Sequence, residues 1–190
     1  MSDELFKKEA QAAWGWWSSL QSREVEGRMI PGDRAAVARL KRAANIMEAA
    51  SEPATGDLYR RIGFTDPKRD LPRAALLAAV LARVRDDDRK NKFIAEAIGA
   101  PRGGEGSTAL ITPVRFKRLV AARDPDDLLI AFRRVVDILG KTANVADLAD
   151  QLLAWTDSRT GDIARVRFAF AYHGASRYAP AIEPSPDKKD

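Results

Sequence analysis

Arginine and lysine carry the chemistry this chain has to offer. Between Pro113 and Lys141 stand Arg115, Lys117, Arg118, Arg123, Arg133, Arg134 and Lys141, against four acidic residues, Asp124, Asp126, Asp127 and Asp137. A guanidinium meets two phosphate oxygens at once through its planar fork, so a local excess of this kind points to an anionic polymer. Arg115 and Arg118 stand at i, i+3 on one helical face. Arg134 lies beside Ile130 with no acid at i+4 to neutralise it. The plain alternative is a solvated helix face.

Other candidates for chemistry are weak. The lone histidine, His173, falls at a helix end, where an imidazolium suits the dipole, so a structural or surface role is expected. In Asp86-Asp87-Asp88, carboxylates adjacent on a helix would point about 100° apart instead of converging on an ion, which favours a solvated turn over a metal site. Trp16 and Trp17 share a face with Ala13 and Leu20 and read as core, as does Trp155, whereas Trp14 points elsewhere and is left as a contact residue. No HExxH, GxSxG or P-loop motif occurs, and the absence of cysteine excludes disulfides, thiolate zinc sites and cysteine nucleophiles. The expectation is a protein that is not an enzyme, with no cofactor, no metal and no small-molecule substrate.

The elements that must hold the arginines are helices. Alanine, leucine and arginine fill most segments, and period-two runs of β-branched residues are missing. Thr112-Pro113 and Asp124-Pro125 each place a capping oxygen before a proline, and Asn144 can cap a third helix. Within the middle helix Leu128, Leu129, Phe132, Val135, Val136 and Leu139 form one apolar stripe, which puts Arg133, Arg134 and Asp137 on other faces, outside the core. Upstream, the spacing predicts helices over about Asp3 to Leu20, from the Asp33 cap through Val37, Leu40, Ala44 and Met47, over Pro53 to Ile62, from Asp70 through Val84 with Pro72 just inside the cap, and around Phe93 to Ile98 with a stop at Gly99.

The fold class expected is therefore all-α, with two small packed helical subdomains: 1–98, then a flexible loop over 99–111 that includes GAPRGGEGS, then 112–179, and a disordered tail over 180–190. The 190 residues are enough for one well-buried core or two small ones. The formal charge is only +5, so the position of the basic residues matters more than their sum. The opening Ser2-Asp3-Glu4 and the shortness of the apolar stretch Ala74 to Ala82 predict a soluble cytoplasmic protein with no membrane partner.

WGWWSSL and GDRAAVARLKRA, then RFKRLVAARDPDDLLIAFRRVVDILG, VADLADQLLAW and RVRFAFAYHG, follow one another in an order that resembles the CasB family, the small subunit of the type I-E CRISPR Cascade complex. The resemblance covers nearly the whole chain; Phe168 and His173 depart from the aromatic pattern common at its end. It implies an all-helical, non-catalytic protein present as two copies among other Cascade subunits, contacting CRISPR RNA and target DNA and helping to hold the displaced non-target strand of the R-loop. By position it implies that Arg133 and Arg134 are the family's paired arginines, Arg115 its preceding basic residue, and Arg39, Lys41 and Arg42 its basic helix. Lys117, Arg118, Lys141 and Arg102 join them as nucleic-acid-binding candidates from local geometry alone. The alternative is a helical protein–protein adaptor without direct nucleic-acid contact.

Overall fold

The stretch Ala74 to Ala82, the most apolar in the chain, lies at the centre of the molecule with every residue buried. It belongs to α5 (Pro67–Leu81) in a computed structural model that describes residues 6–25, 27–89, 93–101 and 109–174. A helix that is apolar on all sides needs neighbours on all sides. α2 (Arg34–Arg42), α3 (Ile46–Ala50), α4 (Pro53–Ile62), α8 (Pro125–Ile138) and α9 (Val145–Thr156) supply them. α1 (Lys7–Leu20) packs along α9 and α4, while α10 (Gly161–Tyr172) packs on α9 and on α6 (Ile94–Gly99). α7 (Pro113–Ala121) lies against α8. The fold is all-α, as expected, with two very short pairings added: an antiparallel hairpin of β1 (Arg23–Val25) and β2 (Arg28–Ile30), and a parallel contact of β3 (Asp86–Asp87) with β4 (Thr142–Ala143).

One apolar cluster runs from Trp16 and Leu40 through Leu77 to Phe132, Leu152 and Phe168, so the buried core continues across the 99–111 connection. Gly99 ends α6 as its sequence suggests and also meets a tertiary demand. A Cβ there would lie 2.1 Å from the carbonyl oxygen of Tyr172, so only glycine lets the end of α10 come this close. The part of the tail over 180–190 and the residues 102–108 of the loop lie outside the described residues.

Several helix starts follow their capping residues. Asp33 accepts from the Ala36 N–H at 2.8 Å, Asp124 from Asp126 at 2.9 Å and Asn144 from Asp147 at 3.0 Å. Thr112 departs from this, since its side chain makes no cap hydrogen bond. The helix expected from Asp33 to Met47 is two helices. α2 ends at Arg42, and Asn45 caps α3 by accepting from Glu48 N–H at 2.9 Å while the Glu48 carboxylate accepts from Ala44 N–H at 2.7 Å.

α5 also starts one turn earlier than expected, at Asp66-Pro67. Asp70, read from sequence as the cap, is wholly buried and bound by two arginines. Arg69 donates to both its oxygens at 2.8 and 2.9 Å, Arg73 donates at 3.1 Å, and the Asp66 N–H donates at 3.2 Å. The Arg69 guanidinium, with the help of the Asp66 amide and Arg73, holds the Asp70 carboxyl at a pKa of about 2 despite its burial.

Asp86 to Asp88 form no solvated turn. The Asp87 carboxylate accepts from Trp14 Nε1 at 2.6 Å and from the Val145 N–H at 3.0 Å, and it pairs with Arg89 at 3.3 Å. The Arg89 guanidinium sits 3.8 Å from the centroid of the Trp14 ring. Trp14 is thus tied into the fold. Trp16, Trp17 and Trp155 are core residues, and His173 ends α10 on the surface with its ring edge-on to Phe116.

Candidate nucleic-acid interface

A helix C-terminus leaves carbonyls without intrahelical partners, and a buried one must be given donors. Three guanidinium groups do this here. Arg73 donates to the Leu153 carbonyl at 3.0 Å near the end of α9. Arg165 donates to Trp155 at 3.1 Å, to Gly161 at 3.0 Å and to Ala122, just past α7, at 3.0 Å. Arg133 reaches from α8 to Leu40 at 2.8 Å and Ala43 at 2.7 Å, at the end of α2, and to Ala79 of α5 at 3.3 Å.

Arg133 was expected on an outer face, as a backbone-binding residue beside Arg134. Its guanidinium instead turns inward and is occupied by main-chain carbonyls. Burial, and secondly the nearby Arg83, pull its pKa below the ordinary arginine value. The physical reason is non-local: neighbouring helical positions differ by about 100° in direction, and the broken end of α2 lies on the side that Arg133 faces.

Arg134 points the other way. Together with Arg115 and Arg118 it lines a groove of about 770 Å³ between α7 and α8. Phe116 and Leu119 turn inward and fix the rotation of α7, which leaves Arg115 and Arg118 exposed at i, i+3. Leu128, Phe132 and Val135 do the same for α8. None of the three groove arginines has an ion-pair partner among the described residues. Asp127 and Asp137 also line the groove, but Asp137 is held by Arg83 at 2.9 Å.

That ion pair links the groove to a second basic cluster. Lys41, at the end of α2, is pulled below the ordinary lysine pKa by partial burial and then by the charges of Lys141, Arg85 and Arg83. Lys141 stands in the turn after α8 with φ of 66° and accepts the Arg85 N–H at its carbonyl, 2.8 Å away. The fold therefore gathers Lys41 and Lys141, candidates distant in sequence, with Arg83 and Arg85, which sequence reasoning missed. The acidic run that follows Arg85 gave no hint of this.

The other candidates separate. Arg39 is engaged by Glu52 at 2.7 Å, which raises its pKa through the hydrogen bond. Lys117 and Arg42 are exposed on α7 and α2 without lining the groove. Arg102 lies outside the described residues. Among the described residues no group of three histidine or acidic side chains is placed to hold a metal, and no helix is long and apolar enough to cross a membrane.

Residues 36–173, which include the groove and the Lys41–Lys141 cluster, match the family model of CRISPR-associated protein Cse2. No curated protein and no solved structure matches the chain. With most of its length matched, including most of α2 and all of α3 to α10, the chain belongs to the Cse2 family, CasB of the type I-E CRISPR Cascade complex.

Proposed function

We propose that this chain is a non-catalytic, strand-holding subunit of Cascade. The α7–α8 groove and the Lys41–Lys141 cluster grip nucleic-acid backbone, that of CRISPR RNA, target strand or displaced non-target strand, and so stabilise the R-loop in antiviral defence. R-loop formation exchanges one duplex for another of similar stability, so a few phosphate contacts are enough to tip it. Contacts that ignore sequence suit that task. The observation that carries the reading is the contrast among arginines: Arg73, Arg133 and Arg165 are used by the interior, while Arg115, Arg118 and Arg134 line one groove with no ion-pair partner among the described residues. Two copies of the chain would lengthen the track.

The salt dependence of target binding by the reconstituted complex tests this. Each of Arg115→Ala, Arg118→Ala and Arg134→Ala should weaken binding about fivefold, equally for all target sequences. The triple variant should flatten the slope of log affinity against log salt by about two units, at about 0.7 per single-strand phosphate contact. Normal affinity and slope in a complex that has incorporated the triple variant would sink the proposal.

The groove also carries a carboxylate of the wrong sign. Asp127, exposed and without an ion-pair partner among the described residues, faces the same space as the three arginines. Asp127→Asn should therefore tighten binding about twofold at low salt, while costing roughly 0.5 kcal/mol of stability, because Asp127 sits in the first turn of α8. Titration of the variant complex at two salt concentrations checks it, and an effect that persists undiminished at high salt would contradict a Coulombic origin.

The adaptor reading has its own supporting observation. Ile163, Val166 and Phe170 recur at i, i+3, i+7 along α10 and are 57%, 69% and 56% exposed. This is an apolar stripe suited to protein neighbours. It lies on a different helix from the groove, so protein contact through α10 and strand contact through α7 and α8 are compatible.

A further inference from the structure

Phosphate contacts alone do not account for the composition of the α7–α8 groove. Its rim is cationic, but Ile130 stands in it 45% exposed, with the half-buried Ala131 and Ile138 beside it. A duplex presents phosphates outward and keeps its bases in the stack, and an apolar surface offers a phosphate nothing. An unpaired nucleotide satisfies both halves of the groove, with the phosphate on the arginines and the face of the base on aliphatic side chains. The volume of about 770 Å³ lies within the range of sites that hold small organic groups.

We infer that the groove is a subsite for an unpaired nucleotide, in which Ile130 contacts the base while Arg115, Arg118 and Arg134 hold the flanking phosphates. The inference rests on the strand-holding reading above and adds to it a preference for single strands whose bases are free. The contact is with a base face, which every base has, so it discriminates paired from unpaired and not one base from another. Asp127 at the groove edge meets the phosphates unfavourably but leaves the apolar lining untouched.

The test uses the assembled complex and a pre-opened target whose displaced strand is mismatched, so that it cannot re-pair, and carries either normal bases or abasic tetrahydrofuran residues. Wild type should bind the base-containing version about fivefold more tightly, which is the effect of burying roughly one partly exposed aliphatic side chain against a base. Ile130→Ser should remove that preference and leave abasic binding unchanged. Arg134→Ala should weaken both versions by the same factor. Equal binding of the two strands by wild type would overturn the base subsite while the Arg134→Ala loss still upholds backbone holding. If Arg134→Ala changes neither, the strand-holding reading falls as well. Failure of the Ile130→Ser chain to enter the complex would overturn the inference in favour of a protein neighbour in the groove.

Discussion

Arg133→Ala is expected to destabilise the fold by about 3 kcal/mol, whereas Arg134→Ala, one residue away, should stay within about 0.5 kcal/mol of wild type. The difference follows from what each guanidinium touches. Removing Arg133 leaves the carbonyls of Leu40, Ala43 and Ala79 without their donor in a partly buried setting, at about 1 kcal/mol each. Leu40 and Ala43 lie at the end of α2, where the helix dipole adds to the attraction for a cation. For a chain of this size that loss lowers Tm by roughly 6–12 °C. Lysine should not rescue it, because one ammonium on a flexible stem cannot reproduce a planar fork that spans two helices. Thermal melts of the three variants decide the matter. Equal stability of Arg133→Ala and Arg134→Ala would return Arg133 to the surface, among the strand-binding residues.

Asp70→Asn should cost about 3–4 kcal/mol, since it leaves the buried Arg73 guanidinium without its carboxylate. The same site sets an acid limit on stability. The Asp70 pKa is about 2 in the folded chain, below the ordinary value of 3.8, because Arg69, the Asp66 amide and Arg73 stabilise the charged form against the cost of burial. A carboxylate with a depressed folded pKa contributes stability that is fully present above about pH 4. That contribution, up to roughly 2 kcal/mol, is lost as pH falls from about 4 toward 2. Denaturant melts at pH 6 and pH 2.5 should show wild type and Asp70→Asn converging at the lower pH. A constant gap between them would mean that the carboxylate does not titrate in this window.

Both predictions concern residues that their local sequence misrepresents. Asp66-Pro67 and Asp70 followed by Pro72 carry nearly the same helix-start signature, and nothing within four residues ranks them. The choice is made by Arg73, which binds Asp70 and also reaches Thr156 and Leu153 of α9, eighty or more positions away. Likewise Asp87 reads as one of three solvated acids until Trp14 and the start of α9 are placed around it. The grouping of Lys41 with Lys141 and Arg85 was equally invisible, because the backbone contact that joins Arg85 to Lys141 belongs to the parallel β3–β4 pairing, which has no signal of its own.

By itself the sequence determined the helices, most of their starts, the inward faces of α1, α8 and α9, and the outward placement of Arg115, Arg118 and Arg134. These depend on capping oxygens, prolines at the first turn and apolar spacing, all of which act within a few residues. The order of its amphipathic segments also carried the family. Tertiary structure decided which arginines the interior takes up. A guanidinium is drawn inward wherever a packed helix end exposes carbonyls that water cannot reach, and the location of such ends depends on how α2, α5, α7 and α9 meet. For that reason Arg133 and Arg134, chemically identical neighbours on one helix, are separated into an interior clamp and a groove residue.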